Sequence, residues 1–295
     1  MTALPDGELL PLETTLGHLV RRAQQVHTAL FTEELAGELT GPQYAVLSAL
    51  GAAPGLDQRE AGRVASLDKS TTADVVSRLE RNGWLRRRRD PRDARRNLLE
   101  LTPSSRTALQ SVTARVIRVR ERLLAVLPAD EQLVFDELLG RVAYRGDRPD
   151  DTAEDATTAL PLSRAPGHLL RRAEQVHATI WAQRVGSLIT PSQYAILSAL
   201  HRQPPTTQAS VGDQASLDKS STADIVSRLQ RRGLVTAQRD AADGRHKLLT
   251  LAPGVQDSFA ELTARVAQVQ VDLAAPLDPA ERDALVATLR RIAYR

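Results

Sequence analysis

The chain has 295 residues, 42% hydrophobic and 25% charged, with a formal net charge of +3, which suits one large folded domain or two of about 150 residues and excludes wholesale disorder. It contains no cysteine, so disulfides, thiolate nucleophiles, thiol redox switches and cysteine-ligated zinc are excluded. No apolar run approaches the roughly 20 residues that span a bilayer, and the start lacks the basic and apolar regions of a secretory signal, so the expected location is the cytoplasm.

In chain order, Leu19, Ala23, Val26 and Leu30 recur at helical spacing and predict a long amphipathic helix over Gly17–Leu35. A shorter helix follows over Gln43–Leu50, begun by Thr40 or Pro42, then one over Asp57–Ala65 with Asp57 as its cap. Asp68 caps a fourth helix that runs to Asn82, where Gly83 stops it. The period then changes to two: Trp84–Arg89 and Asn97–Leu101 read as short strands joined by a turn over Asp90–Arg96. Helices over about Ser104–Val126 and Pro128–Tyr144 close the segment. Aromatics make up only 3% of the chain, so a Leu, Val and Ala core is expected, which favours helix over sheet.

The same order then returns. LVRRAQQVH at Leu19–His27 reappears as LLRRAEQVH at Leu169–His177, and QYAVLSAL at Gln43–Leu50 as QYAILSAL at Gln193–Leu200. SLDKSTTADVVSRL at Ser66–Leu79 reappears as SLDKSSTADIVSRL at Ser216–Leu229. The offset is 150 residues at every matched segment, the mark of a tandem duplication. The predicted division is one unit over 10–145, an acidic linker over 146–159 and a second unit over 160–295. The joint, GDRPDDTAEDATTA, sets five acidic residues against one Arg and reads as solvated.

Helix, turn, helix and a basic two-stranded hairpin form the layout of a winged helix-turn-helix, whose second helix meets the major groove while the hairpin carries cations to the backbone or minor groove. On the fourth helix, Thr72, Val76 and Leu79, flanked by Ala73 and Val75, are expected to face inward. Ser70, Thr71, Asp74, Ser77, Arg78 and Arg81 lie opposite, with Ser220, Ser221, Asp224, Ser227, Arg228 and Arg231 in the repeat. Asp74 can accept from a cytosine amine or pair with Arg78 one turn along. The basic residues of the chain are nearly all Arg, with lysine only at Lys69, Lys219 and Lys247; codon bias accounts for that, and only clustering makes the charge informative. The hairpin is such a cluster: Arg81–Asn97 holds eight arginines against Asp90 and Asp93, and its wing cations include Arg89, Arg92, Arg95 and Arg96. In Arg231–Lys247, four arginines, among them Arg239 and Arg245, and one lysine face Asp240 and Asp243.

LDKSTTADVVSRLERNGWLRRRRDPRDARRNLLELT at Leu67–Thr102, and its second copy at Leu217–Leu251, resemble the core of the MarR-type (multiple antibiotic resistance regulator) transcription factors. The resemblance implies a mainly α fold with small β-hairpin wings. Two winged helix-turn-helix domains would join through intertwined dimerisation helices, here as an intramolecular pseudodimer. It also implies a double-stranded DNA operator as partner, with Ser70, Thr71, Arg78 and Arg95, and Ser220, Ser221, Arg228 and Arg245, at DNA-contacting positions. A small, often aromatic or carboxylated effector would bind between the dimerisation helices and the winged domain. Two departures stand out: Ala73 and Asp74 occupy positions where many members carry Thr and Arg, and the second wing, RDAADGR, lacks the proline and most of the arginines.

For the effector, His18 and Arg22 share a helical face that can hold a carboxylate, and His168 and Arg172 repeat them; the alternative is that these histidines are interfacial hydrogen-bonders. Tyr44 and Tyr194 are core aromatics that also suit a pocket wall. No cofactor is expected, and no metal site either, because no His pair has the spacing of a helical zinc site. There is no HExxH, P-loop, GxGxxG or nucleophile elbow, so an enzyme is not expected. The competing readings are a ligand-independent architectural DNA-binding protein and a sensor that has lost DNA binding.

Overall fold

A computed structural model describes residues 10–93, 95–147, 160–239 and 247–295. The first half forms α1 (Leu16–Leu35), α2 (Gly41–Ala52), α3 (Gln58–Val64), α4 (Lys69–Arg81), β1 (Leu85–Arg89), β2 (Asn97–Leu101), α5 (Pro103–Leu124) and α6 (Ala129–Tyr144). The second forms α7 (Pro166–Arg184), α8 (Pro191–Arg202), β3 (Thr206–Thr207), α9 (Gln208–Ala215), α10 (Lys219–Arg231), β4 (Val235–Arg239), β5 (Lys247–Leu251), α11 (Pro253–Ala274) and α12 (Pro279–Ala293). Most of the acidic joint and the tip of the second wing, including Arg245, lie outside the described residues.

Local chemistry sets the helix ends. The Thr40 side chain accepts from the Gln43 amide while the Gln43 side chain accepts from the Thr40 amide, and Asp57 and Glu60 repeat this reciprocal box at α3. Asp68 caps α4 by accepting from the Thr71 amide. The helix closes where Gly83 adopts φ +74° and the Trp84 amide reaches back to the Leu79 carbonyl, a conformation that costs glycine little.

Two compact units result. One joins the described part of Met1–Arg22 to Gln175–Ala275, and the other joins Ala23–Glu174 to Pro276–Arg295. Each is therefore built from both halves of the duplication, and the halves have exchanged helices within one chain. In the first unit, the start of α1 accompanies the second winged segment, and the Gly17 amide donates to Gln270 Oε1 of α11 at 2.8 Å. In the second unit, the start of α7 accompanies the first winged segment. There α12 lies against α6, with Arg141 bound to Glu281 and Arg291 to Glu131, each at 2.5 Å.

In the second unit β1 and β2 pair antiparallel from Leu85↔Leu101 to Arg89↔Asn97. Leu85, Leu98, Leu99 and Leu101 are buried while Arg86–Arg89 face water. A single bridge, Asp57↔Leu98, adds the stub of a third strand. In the first unit that stub is a full pair, giving the sheet order β3-β5-β4. Two-residue strands carry no period, so the hydrophobic pattern does not announce them. On α4 the buried arc is Thr72, Val75, Val76 and Leu79. Ala73, expected inside, is exposed, because one residue of helix rotates it about 100° from Thr72, and its methyl group is small enough for exposure to cost little.

Candidate DNA interface and ligand cavity

In the second unit, α4 presents Ser70, Asp74, Ser77, Arg78 and Arg81 to solvent, with Thr71 half-buried. In the first unit, α10 presents Ser220, Asp224, Ser227, Arg228 and Arg231 in the same way, with Ser221 half-buried. Thr72 is buried, and its hydroxyl donates to the Asp68 carbonyl at 2.6 Å. Gly62 of α3 lies so near Thr72 that a Cβ there would stand 2.5 Å from its Oγ1, so the two helices of the turn cross with a hydrogen atom between them.

The hydroxyls at the helix start are engaged. Ser70 and Thr71 each donate to the Asp68 carboxylate at 2.6 Å, and those bonds hold its pKa well below the usual carboxylate range. Ser221 donates to Asp218 at the same distance. A phosphate or base approaching this helix start must therefore compete with Asp68 for these protons. Lys69 and Lys219, the first residues of the two helices, are exposed beside the free amides and positive dipole end; sequence reasoning passed over them. Asp224 pairs with Arg228 at 2.8 Å, whereas Asp74 and Arg78 stand 4.0 Å apart. Both are exposed pairs worth a few tenths of a kcal/mol.

The wing arginines divide by role. Arg86 and Arg88 hold Glu100 at 3.1 and 2.5 Å, and Arg87 holds Glu80 at 3.0 Å. Arg96, counted in the sequence among the DNA-facing cations, binds Asp57 at 2.8 Å and Glu60 at 3.0 Å, tying the wing to the start of α3. Asp93 accepts from the backbone amide of Arg95 at 2.9 Å, as Asp90 does from that of Arg92 at 2.8 Å. Arg89, Arg92 and Arg95 remain exposed, with no ion pair among the described residues. In the other wing, Thr236, Ala237 and Gln238 stand at the counterparts of Arg86–Arg88, and of the four strand arginines only Arg89 is repeated, as Arg239.

Between helix α1 and the winged segment, the second unit encloses a cavity of about 240 Å³. Phe31, Leu39, Val116, Leu160 and Leu162 supply apolar wall, and Tyr44, His27, His168, Arg120 and Arg171 supply polar groups. Tyr44 and His168 fall where the sequence placed them. Arg172 does not line the cavity: its Nη1 donates to Ser66 Oγ at 2.8 Å, and its guanidinium lies 4.1 Å from the centre of the Tyr144 ring. Arg171, His27 and Arg120, which sequence reasoning missed, take the polar positions.

Arg120 is matched to Asp136 at 2.5 Å. Arg171 has no carboxylate partner among the described residues. It donates to the Ala65 carbonyl and to His168 Nδ1, and burial lowers its pKa to about 10, which leaves it charged. A guanidinium has no acceptor, so His168 Nδ1 must accept and Nε2 must carry the proton. That Nε2 faces Ser66 Oγ at 3.4 Å and the Tyr144 hydroxyl at 3.3 Å. Burial, with Arg171 and Arg172 nearby, lowers the His168 pKa to about 3. Three buried polar atoms of the lining, Gln24 Oε1, His27 Nδ1 and Arg171 Nε, have no protein hydrogen-bond partner. A buried cation without a counterion, beside orphaned polar atoms and an apolar wall, is a site suited to an organic anion.

The carbonyl that Arg171 holds belongs to the residue closing α3, and Ser66 next to it takes φ +52°. Ser66 and Leu67 are the turn leading to the Asp68 cap of α4. The first unit repeats the link: Arg21 donates to the Ala215 carbonyl at 2.8 Å and the Ser216 carbonyl at 3.2 Å, and Arg22 donates to Ser216 Oγ. His18 Nδ1 accepts from Arg21 at 3.1 Å, and burial lowers its pKa to about 3. In that unit, His18 and Tyr194 line a space of only about 20 Å³.

Comparison with known proteins agrees with this layout. The model of the MarR family matches residues 38–96 and again residues 189–246. Transcriptional regulator HosA of Escherichia coli is 35% identical over 125 residues, covering 42% of this chain and 92% of that protein. The transcriptional repressor NicR of Pseudomonas putida is 30% identical over 128 residues, 43% of this chain and 81% of that one. Among solved structures, the PcaV transcriptional regulator from Streptomyces coelicolor in complex with its natural ligand is 48% identical, covering 48% of this chain and 97% of that chain, with a TM-score of 0.43. Nearly the whole of HosA thus finds its counterpart in under half of this chain, and the family's characteristic region occurs twice: the chain belongs to the MarR family of transcriptional regulators.

Proposed function

We propose that this chain is a sequence-specific double-stranded DNA-binding regulator, a repressor, that acts as a single-chain pseudodimer in the cytoplasm and is released by a small organic anion. The repeats over 10–145 and 160–295, joined by 146–159, supply the two DNA-reading segments. Lys69–Leu79 and Lys219–Leu229 differ only at Thr71/Ser221 and Val75/Ile225, so the operator is a near-palindrome with half-sites about one helical turn apart.

The observation that carries the regulatory reading is Arg171. It lines the cavity, lacks a counterion, and holds the carbonyl at the end of α3. An anion that draws the guanidinium toward itself weakens that bond and loosens the turn that sets the angle of α4. NicR is described as a repressor, in keeping with the repressor reading. An architectural DNA-binding protein would have no use for a buried, unmatched cation coupled to its reading helix.

The test is binding to a short operator duplex, read by fluorescence anisotropy and by solution mass. A chain of 32.2 kDa binding one duplex supports the single-chain reading, and a tight complex of two chains on one duplex defeats it. Salt dependence tests the wings. Replacing Arg89, Arg92 and Arg95 by Ala flattens the slope of log K against log salt by about 1 for each phosphate that is no longer neutralised. Arg239→Ala should cost less than the triple change. Equal losses would show that the two wings grip alike.

A further inference from the structure

Cavity volume separates the two units by about a factor of ten, roughly 240 against 20 Å³, although their walls derive from one duplicated sequence. The position-by-position differences explain it. Phe31 is replaced by Trp181, which is 5% exposed, donates its indole N–H to the Ile189 carbonyl at 2.7 Å, and sets its ring edge-on to His177 and Tyr194 at 5.7 and 6.0 Å. Arg120 is replaced by Gln270, whose Oε1 accepts from the Gly17 amide at 2.8 Å. In the second unit the equivalent residue, Gly167 at the start of α7, lines the cavity together with Arg120, and a guanidinium has no acceptor to offer an amide. Pro166 and Ala165 give way to the larger Leu16 and Thr15, both buried.

The first-unit site is therefore filled twice over. An indole occupies the ring space, and an amide oxygen takes the hydrogen bond a ligand oxygen would make. We propose that the chain has one working effector site, in the second unit, for a single-ring aromatic carboxylate. Its duplicate in the first unit is plugged by Trp181 and Gln270, so one ligand acts per chain. This rests on the effector reading above and adds its stoichiometry and the residues that set it. The ligand class follows from the wall. The carboxylate meets Arg171 and the Gly167 amide, and the ring lies among Phe31, Leu39 and Leu162. A volume below the usual range for drug-sized ligands admits one ring.

Isothermal titration of the full chain with benzoate and its ring-hydroxylated derivatives tests this, with phenol as the control lacking the carboxylate. The expected result is one molecule per chain for the tightest compound, with at least tenfold weaker binding to Arg171→Gln and none of comparable strength for phenol. The double variant Trp181→Phe/Gln270→Arg should raise the stoichiometry to two. The converse Phe31→Trp/Arg120→Gln should abolish binding, and it keeps the assignment testable should the first variant fail to fold. Two molecules bound per wild-type chain would overturn the single-site proposal while leaving the effector reading standing. Stoichiometry fixed at one in a folded Trp181→Phe/Gln270→Arg variant would overturn the plug. No binding by any compound of the panel would overturn the effector reading itself, and the single site with it.

Discussion

Between pH 6.5 and pH 4, the melting temperature should fall steeply. His18 and His168 are buried with pKa values lowered to about 3, and His27 and His177 with values lowered to about 4. Burial is the main cause, and neighbouring arginines add to it: Arg21 and Arg22 at His18, Arg171 at His27. The unfolded chain takes up these protons near pH 6.5, but the folded one refuses them. The stability this neutrality contributes is therefore complete above pH 6.5 and lost as pH falls toward the folded values. Near pH 5 the unfolded state binds up to four more protons, a slope of at most about 5 kcal/mol per pH unit. Lowered carboxylates such as Glu34, whose main cause is its hydrogen bond from Arg118, extend the loss with the same sign at lower pH. Thermal melts from pH 7 to 4.5 measure this, and a melting temperature level across that range would refute it. Each histidine replaced by Gln should flatten the profile by about 1.4 kcal/mol per unit.

Gly167→Ala should be strongly destabilising for the addition of a single methyl group. A Cβ at Gly167 would stand 2.0 Å from Nε2 of His27, itself buried. The ring belongs to α1 and the glycine to the start of α7, so the clash strikes where the two halves of the sequence interlock in the second unit. Overpacking of this kind costs about 1–3 kcal/mol and sometimes more, a loss of several degrees in melting temperature. Gly254→Ala, on α11 with nothing within 4 Å, is the control and should be neutral or slightly stabilising. The double change Gly167→Ala/His27→Ala should recover part of the loss by removing the ring. If Gly167→Ala melts with the wild type, the interlock is looser than its geometry indicates.

What could be read beforehand follows the range of the interactions. Asp57, Asp68 and Gly83 mark helix ends through short-range bonds, so the helix-turn-helix was legible from the sequence alone. The wing registered as two short strands joined by a turn, although neither alternates cleanly: Arg86–Arg89 are all exposed, and Leu98 and Leu99 are both buried. The cavity was half legible. Tyr44 and His168 were found, but helical spacing favoured Arg172 as the partner of His168, four residues on, and the bond comes from Arg171, three residues on. His27, Arg120 and the start of α7 meet only because the halves exchange helices, and no local pattern reports that. The ion pairs of Arg96 were hidden for the same reason: its acids, Asp57 and Glu60, are far away along the chain and look like ordinary capping residues.

The exchange of helices has a consequence for how such a chain changes over generations. In a regulator assembled from two identical polypeptides, every substitution is displayed twice, and a residue harmful in one copy is harmful in both. Here each substitution is displayed once. Trp181 could settle in one wall while Phe31 kept its place in the other, and the second wing could shed arginines that the first retained. Joining the copies released each from the obligation to resemble its twin, and on the function proposed above the eleven residues that start with Lys69 and Lys219 differ at only two positions because both would read the same DNA.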